Sequence, residues 1–320
     1  MTEATAERIG PPNPLGADLE RAVGAGAFLL IDKPRGPSSH QVTAWVRDLL
    51  GVRSAGHAGT LDPQVSGLLW VGVGPALKLL PLLLAFPKRY IGLVTLHARV
   101  PARALKEVLA EFEGPIYQTP PVRSAVRRER RIRRIHRLNL IEQEGTDLLL
   151  DVTADSGTYI RTLAVDLGDA LGVGGHLAEL RRVGTGPFRE ASAISLAELA
   201  DARARYQAGD PAALLRHLHP MEEVWREFPA LQLKDGAAAA VAHGAGLARG
   251  GIRAIVRPFG KGSYVVLLSR ANELLAFGRA RVGSDDLETE RHGWVVESER
   301  VLADPSRYPA SWNRPKVTAR

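Results

Sequence analysis

The chain has no cysteine among its 320 residues. Without cysteine there can be no disulfide framework, no thiolate nucleophile and no zinc site built from thiolate ligands. A metal site would have to use histidines and carboxylates, and the nine histidines are scattered without an HxxxH pair. Because closely spaced histidines are the usual sign of such a site, we expect no bound metal ion.

Long uninterrupted apolar runs are also lacking. The most hydrophobic window, residues 68–86, contains two glycines, two prolines and a lysine, which favours a buried strand and a core helix over a membrane span. Residues 1–26 include the acidic residues Glu3, Glu7, Asp18 and Glu20 and no apolar run, which argues against a signal peptide. We therefore expect a cytoplasmic protein with no membrane partner.

The positive charge is concentrated in one segment. The formal net charge is +7, and residues 123–137 alone hold eight arginines and one glutamate, so the rest of the chain is close to neutral. Such a run is ordinarily a solvated surface, but arginine used without lysine suits the binding of phosphate groups. The segment therefore predicts RNA as a partner, with these candidate contacts: Arg123, Arg127, Arg130, Arg131, Arg133 and Arg134.

The order of predicted elements indicates an α+β fold with more than one domain. Ser38 or Ser39 is expected to cap a helix that Gly51 ends, and Gly145 is expected to turn a hairpin. The predicted strands cover residues 28–31, 68–73, 90–100, 138–141, 148–154, 253–256, 264–268 and 274–277. The predicted helices begin near Pro75, Pro101 and Tyr159 and cover 196–225 with a break at 209–211.

The composition changes near Phe228, where helical patterns give way to short strands and Gly-rich turns. This change predicts a small β-barrel-like domain in the C-terminal part. We expect an N-terminal segment (1–26), a catalytic domain (27–227), the small domain (228–303) and a basic tail (304–320).

Three residues suggest chemistry. Asp62 lies in a loop rich in glycine, where backbone shape can present one carboxylate to a cleft, although an Asp-Pro pair more often forms a turn. Arg161 begins an apolar helix and would keep a buried Asp62 carboxylate ionised; otherwise it is a surface cation. Tyr90 offers a ring for stacking and a hydroxyl for proton transfer, or is an ordinary strand aromatic.

Several long motifs resemble those of the TruB-type pseudouridine synthases, and within them the archaeal branch related to dyskerin, the catalytic protein of H/ACA ribonucleoproteins. The similarity extends over nearly the whole chain. Its motifs are Asp32–Pro34 with Gly36–His40, Gly56–Pro63, Lys88–Tyr90, Thr119–Val126, Gly157–Leu163 and Leu171–Arg182.

The resemblance implies a catalytic domain with a mixed, largely antiparallel sheet, and roles for individual residues. Asp62 would be the nucleophile that attacks the target uridine at the sugar or the ring, so that the base detaches, rotates and reattaches through carbon. Tyr90 would stack on the flipped base and help to remove the carbon-bound proton, and Arg161 would pair with Asp62. No cofactor is needed. Pocket-lining or RNA-wedging roles, with packing as the alternative, are implied for Lys33, His57, Tyr159 and Leu180.

The C-terminal part resembles a PUA domain through Leu231–Gly236, His243–Ala245 and Ala276–Gly278. In the dyskerin branch this domain holds the ACA end of the guide RNA. The pattern departs from that branch at Arg249–Gly251, which has no proline before its glycine, and at Lys261–Ser263, which has no acid after its glycine.

The resemblance implies modification of ribosomal RNA together with a guide RNA and the small H/ACA core proteins, one of which binds kink-turns. A stand-alone synthase acting on the T-loop uridine of tRNA is the alternative enzyme. A catalytically silent RNA scaffold is the alternative from another class. Because Asp62, Tyr90 and Arg161 are all present, an enzyme is favoured over a scaffold.

Overall fold

Strands and helices alternate irregularly along the chain, which confirms the predicted α+β class. The computed structural model describes residues 19–119, 129–288 and 293–309. The chain divides into two compact units between His219 and Pro220.

The first unit combines a large sheet with helices. Its strands are β1 (Ala27–Lys33), β2 (Ala55–Ala58), β3 (Ser66–Val73), β4 (Lys88–Leu96), β5 (Gly114–Gln118), β6 (Arg131–Glu144), β7 (Asp147–Ala154), β8 (Gly175–Thr185) and β9 (Phe188–Arg189). Its helices are α1 (Leu19–Ala25), α2 (Ser39–Leu50), α3 (Leu80–Ala85), α4 (Ala102–Glu111), α5 (Ile160–Ala170), α6 (Leu196–Gln207) and α7 (Ala212–Leu215). A short strand, β10 (His219–Pro220), lies where the units divide.

The main sheet has the strand order β1-β3-β8-β4-β7-β6-β5. The pair β3 and β8 is parallel, and the other neighbours in this order are antiparallel. The expected mixed, largely antiparallel sheet is therefore confirmed. At the parallel contact Gly67 faces Arg182, and a Cβ on Gly67 would lie 2.2 Å from the Arg182 carbonyl oxygen, so only glycine allows this approach.

Helices cover the sheet through two apolar cores. One core joins α1, α2, α6 and α7 to β1 and β3. The other joins α4 and α5 to β4, β6, β7 and β8, and it includes the buried residues Leu61, Ile160 and Leu180. These three residues matter for function because each is next to, or is itself, a candidate site residue.

Helix α2 begins and ends as its sequence predicts. The Ser38 side chain accepts a hydrogen bond from the Gln41 backbone N–H, while the Gln41 side chain accepts one from the Ser38 N–H. This reciprocal cap satisfies two N–H groups that the first turn leaves free. Gly51 ends the helix with a left-handed φ of 70°. Of the two candidate caps, Ser38 is the cap, and Ser39 has another partner.

Several predicted bounds were wrong. The strand predicted at 138–141 begins at Arg131, because charged and apolar side chains alternate through the arginine segment and pair with β5. Strands β5 and β8 were missed because their residues carry glycine, proline and charge, although both pair within the sheet. The strand predicted at 90–100 ends at Leu96, where the chain turns toward α4.

In its described residues, the second unit contains a six-stranded sheet and two α-helices. The elements are α8 (Met221–Trp225), β11 (Ala230–Leu233), α9 (Asp235–Ala242), β12 (Leu247–Ala248), β13 (Ile252–Ile255), β14 (Tyr264–Leu268), β15 (Leu274–Ala280) and β16 (Trp294–Val301). The region predicted as helical at 196–225 is thus three short helices, α6, α7 and α8. Residues 220–227, which precede the expected boundary at Phe228, belong to this unit.

Helix α9 was also missed, because a run of alanines has no apolar periodicity to mark one face. No helix within the described ranges is long and apolar enough to cross a membrane.

Candidate active site

The loop that carries Asp62 is fixed by the residues on both sides of it. Leu61 is buried, and its backbone N–H donates to the Ser39 hydroxyl at 2.8 Å, while that hydroxyl donates to the Leu61 carbonyl at 2.9 Å. On the other side, the Pro63 carbonyl accepts hydrogen bonds from the Gly36 N–H and the Lys33 ammonium. Asp62 therefore has a well-anchored backbone on either side of an accessible side chain.

Asp62 and Arg161 form the expected ion pair. The Arg161 Nη2 lies 3.2 Å from the Asp62 Oδ2, and Arg161 is the second residue of α5. The carboxylate was expected to be buried, but its side chain is 56% exposed and that of Arg161 47% exposed. The expectation was wrong because the loop projects its acid outward. An exposed pair of this kind contributes only about 0–1 kcal/mol, so the carboxylate remains available to a ligand.

Tyr90 shares one apolar cluster with the neighbours of this pair. The half-buried Tyr90 packs against the core that contains Leu61, Ile160 and Leu180. Leu61 precedes Asp62, and Ile160 precedes Arg161. The fold thus gathers Asp62, Tyr90, Arg161 and Leu180 from four separate stretches of the sequence.

The backbone of Tyr159, another candidate site residue, is held by Gln118. Its backbone N–H donates to the Gln118 Oε1 at 2.9 Å, and its carbonyl accepts from the Gln118 Nε2 at 3.1 Å. Tyr159 is the N-cap residue that directly precedes α5, and it is half-buried. Gln118 therefore fixes the start of the helix that carries Arg161.

The Lys33 side chain is buried and is bound by backbone carbonyls. Its side chain is buried, and its ammonium donates to the carbonyls of Pro34, Pro37 and Pro63 at 2.9, 2.8 and 3.3 Å. Burial lowers the pKa of Lys33, the positive charge of Arg182 lowers it further, and Asp62 opposes this shift. The geometry favours the packing alternative for Lys33, because its three hydrogen bonds hold turns together.

His57 lies on β2 at the approach to the loop. Its ring meets that of His40 edge to face at 4.7 Å, and its Nε2 lies 3.4 Å from the Thr60 hydroxyl oxygen. Burial lowers the pKa of His57, and His40 and Arg182 act in the same direction. His57 is therefore neutral at physiological pH, and its ring can form hydrogen bonds without carrying a positive charge.

Arg182 is a residue that reasoning from the sequence missed. Its guanidinium is fully buried and donates to the Leu68 carbonyl at 2.6 Å and the Gly59 carbonyl at 2.8 Å. Burial lowers the pKa of Arg182, and its interaction with Tyr90, which lies opposite it in the β4–β8 pairing, opposes that shift. Its place in the Leu171–Arg182 motif was the available signal, but nothing in that pattern tells a buried arginine from an exposed one. Arg182 links the Asp62 loop to Tyr90.

Lys88, at the start of β4, is buried close to the same place. Its ammonium donates to the carbonyls of Leu84 and Phe86 at 2.7 and 2.6 Å, and more weakly to Leu83 and Ser156. Burial lowers the pKa of Lys88 to about 7, and Arg182 contributes in the same direction. The amine thus joins the end of α3 to the strand that carries Tyr90.

The described part of the arginine segment forms the first half of β6. Arg130 and Arg134 are exposed, Arg131 and Arg133 are half-buried, and the Arg130 guanidinium lies 4.7 Å from the centre of the exposed Tyr117 ring. Arg123 and Arg127 lie outside the described residues. Of the two isoleucines in the segment, Ile135 is buried in the core. The start of β6 and the neighbouring β5 therefore present exposed guanidinium groups and an aromatic ring to solvent.

Within the same described ranges there is no group of three or more histidine, aspartate or glutamate residues placed to hold a metal ion.

Comparison with known families divides the chain into three matched parts. Residues 47–160 match the model described as TruB family pseudouridylate synthase, N-terminal domain. Residues 161–225 match the tRNA pseudouridylate synthase B C-terminal domain, and residues 229–302 match the PUA domain.

Proteins named "Probable tRNA pseudouridine synthase B" are similar over almost the full length. The one from Methanothermobacter thermautotrophicus is 40% identical over 313 residues, which cover 98% of this chain and 96% of that protein. The one from Pyrobaculum arsenaticum is 43% identical over 295 residues, covering 92% and 89%.

Solved structures share the fold. A crystal structure of a Cbf5-Nop10-Gar1 complex aligns with a TM-score of 0.82 at 39% identity, covering 91% of this chain and 89% of that chain. A structure of an H/ACA RNP bound to a substrate RNA containing 2′-deoxyuridine aligns with a TM-score of 0.78 at 37% identity, covering 92% and 90%.

Replacement of Lys88 tests its buried environment. Because its pKa falls from 10.5 to about 7 on folding, unfolding takes up a proton between these values, and the free energy of unfolding should rise with pH across this window by at most about 1.4 kcal/mol per pH unit. Lys88→Met should remove this rise, whereas the exposed-site control Lys106→Met should keep it. The measurement is urea unfolding at pH values from 7 to 9.5. If the free energy of unfolding rose with pH equally in wild type and in Lys88→Met, the lowered pKa of Lys88 would be contradicted.

Proposed function

The chain belongs to the TruB family of pseudouridine synthases, and we propose that it is the catalytic subunit of a cytoplasmic H/ACA ribonucleoprotein, in which a guide RNA selects uridines of ribosomal RNA. The family isomerises uridine to pseudouridine in RNA. The observation that supports the guided role is full-length similarity to chains solved in Cbf5-Nop10-Gar1 and substrate-bound H/ACA complexes. We infer that the partners are guide RNA and small core proteins, including a kink-turn-binding protein.

Asp62 is the nucleophile in this proposal. Its carboxylate is accessible and lies 3.2 Å from the Arg161 guanidinium, and attack requires this carboxylate. Attack at the sugar or the ring of the target uridine forms a bond to Asp62, and the bond between the base nitrogen and the ribose breaks. The base then rotates and bonds to the ribose through carbon, and the bond to Asp62 breaks to regenerate the carboxylate. The proton on that carbon leaves in the last step and the freed nitrogen takes up a proton, so the reaction is an isomerisation that needs no external oxidant, reductant or cofactor.

Tyr90 has two tasks in this scheme. Its ring stacks on the flipped base, and its hydroxyl helps to remove the proton from carbon. Leu180 and Tyr159 line the pocket beside it, and His57 contacts the RNA as a neutral ring.

RNA binding extends beyond the pocket. The exposed guanidinium groups of Arg130 and Arg134 suit phosphate contacts, and the half-buried Arg131 and Arg133 add positive charge behind them. Arg123 and Arg127 would continue this basic segment. In the second unit, the PUA match supports a grip on the ACA end of the guide RNA.

A stand-alone activity on the T-loop uridine of tRNA is the second candidate. It is favoured by the names of the relatives, which are tRNA pseudouridine synthases. The two candidates use the same active site and differ in what presents the uridine to it.

Tritium release separates these candidates. We expect the purified chain to release tritium from a labelled guide-plus-target pair only when the small partner proteins are present, because guided assembly must place the uridine. The same protein is tested on labelled tRNA transcript, with and without the partners. Release from tRNA by the protein alone, with none from the complete guided mixture, would overturn the guided role in favour of the stand-alone one.

Asp62→Asn tests the nucleophile. The amide keeps the shape of the side chain and cannot attack, so turnover should fall by at least roughly 1,000-fold while RNA affinity stays near wild type. Asp48→Asn, a change of the same kind on an exposed aspartate of α2, is the control and should keep full turnover. Product formation by Asp62→Asn at the control's rate would exclude Asp62 as the nucleophile.

Reversal of two exposed charges, Arg130 just before β6 and Arg134 on β6, tests the RNA surface. Arg130→Glu combined with Arg134→Glu should weaken RNA binding and lower the slope of log affinity against log salt by about 1 to 2, since each lost phosphate contact removes roughly 0.7–0.9. Arg47→Glu with Arg103→Glu makes the same charge change at other exposed sites and should leave the slope near that of wild type. Equal slopes for the two double variants would remove β6 from the RNA surface.

A further inference from the structure

Two buried polar side chains each bind both backbone polar groups of one residue beside the Asp62–Arg161 pair. The Ser39 hydroxyl accepts from the Leu61 N–H at 2.8 Å and donates to the Leu61 carbonyl at 2.9 Å. The Gln118 amide accepts from the Tyr159 N–H at 2.9 Å and donates to its carbonyl at 3.1 Å. Ser39 and Gln118 are 0% and 3% exposed. We call these two interactions the backbone clamps.

Each clamp fixes the direction of a reactive side chain. A residue whose N–H and carbonyl are both held cannot rotate about its backbone without breaking a hydrogen bond. Leu61 directly precedes Asp62, so the Ser39 clamp determines where the loop starts toward the carboxylate. Tyr159 is the N-cap residue of α5, so the Gln118 clamp determines where the helix that carries Arg161 begins.

The ion pair itself does not fix the directions of the Asp62 and Arg161 side chains. Its two side chains are about half exposed and meet in a single contact of 3.2 Å. Exposed pairs of this kind exchange with water readily and do not hold long side chains in one geometry. Positioning must come from the backbone on each side, and the buried hydrogen bonds of the clamps are shielded from competition with water.

We propose that Ser39 and Gln118 are positioning residues of the catalytic pair. The inference rests on the proposed role of Asp62 as nucleophile. Neither side chain reaches the reacting atoms, because each is buried and engaged by backbone. Ser39 comes from the start of α2 and Gln118 from the end of β5, so the two clamps support the pair independently.

The chain provides a matched control for each clamp. Ser38 is next to Ser39, but its hydroxyl caps α2 and makes no contact with the Asp62 loop. Gln143 also donates from its side-chain amide to a backbone carbonyl, that of Val100, away from the pair. Loss of either control group should lower stability without altering the geometry of Asp62 or Arg161.

The first measurement is the single-turnover rate at saturating protein, on the RNA substrate that the wild-type protein converts. Ser39→Ala and Gln118→Leu should each lower this rate by about 10- to 100-fold, as a misplacement near 1 Å does in other enzymes. RNA affinity should stay within about twofold of wild type, because the clamps face away from the ligand.

The control variants Ser38→Ala and Gln143→Leu should keep the wild-type rate. Ser39→Thr, which retains the hydroxyl, should restore most of the rate that Ser39→Ala loses. Unfolding midpoints show that each variant is folded at the assay temperature.

The second measurement does not depend on activity. Amide hydrogen exchange of the segment around Leu61 should accelerate in Ser39→Ala and stay slow in Ser38→Ala, because only Ser39 accepts from the Leu61 N–H. Exchange at Tyr159 should accelerate in Gln118→Leu but remain slow in Gln118→Glu, whose carboxylate still accepts from that N–H.

The outcomes separate the two proposals. If Asp62→Asn keeps its turnover, the proposed nucleophile is wrong and the positioning role falls with it. If Asp62→Asn is inactive while Ser39→Ala and Gln118→Leu turn over at the rates of their controls, the clamps are structural only and the inference is overturned by itself. A rate loss confined to the clamp variants, with faster exchange at the clamped residue, supports it.

Discussion

The buried guanidinium of Arg182 is the constraint on which the site depends. An arginine removed from water is costly unless its donors are satisfied, and here the acceptors are the carbonyls of Leu68 and Gly59, while the interaction with Tyr90 opposes the effect of burial on the pKa of the guanidinium. These three residues belong to β3, the Asp62 loop and β4. The three segments must therefore converge on one side chain, and Gly67 lets the backbones of β3 and β8 come close enough for this to happen.

This cation also organises the charges around it. Its field lowers the pKa values of Lys33, His57 and Lys88 in addition to the effect of burial. Lys33 and Lys88 direct their ammonium groups at backbone carbonyls, so their charge is used to join turns and helix ends. The accessible carboxylate of Asp62 lies close enough to Lys33 to interact with its charge, and the buried positive charge of Arg182 behind this loop suits an approaching phosphate backbone.

Local signals in the sequence predicted the local structure well. The cap at Ser38, the stop at Gly51 and the hairpin at Gly145 each depend on a few adjacent residues, and the structure confirms all three. Strand β8 was missed because its position in the middle of the sheet is decided by partners far along the chain. Its charged residues Arg181 and Arg182 argue against a central strand until Asp32, Glu190 and the carbonyls that bind them are known.

The candidate site residues show the same division between local and long-range signals. Asp62, Tyr90 and Arg161 could be proposed from the sequence because their motifs are distinctive, whereas the exposure of the Asp62 carboxylate depends on how the loop is held. Ser38 and Ser39 are the same residue type in adjacent positions, and only the fold assigns one to the helix cap and the other to Leu61. A sequence pattern therefore names the reacting groups more readily than the residues that aim them.

The arrangement solves a conflict between access and precision. A nucleophile that must meet a base flipped out of RNA has to be open to solvent, and an open side chain is poorly held by its own contacts. Burying Asp62 would give it firm contacts but would exclude the RNA and favour the neutral acid. In this chain the proposed reacting groups are exposed, and the hydrogen bonds of Ser39, Gln118 and Arg182 to the neighbouring backbone are shielded from water. In the proposed mechanism, precision therefore comes from buried polar groups that never touch the substrate.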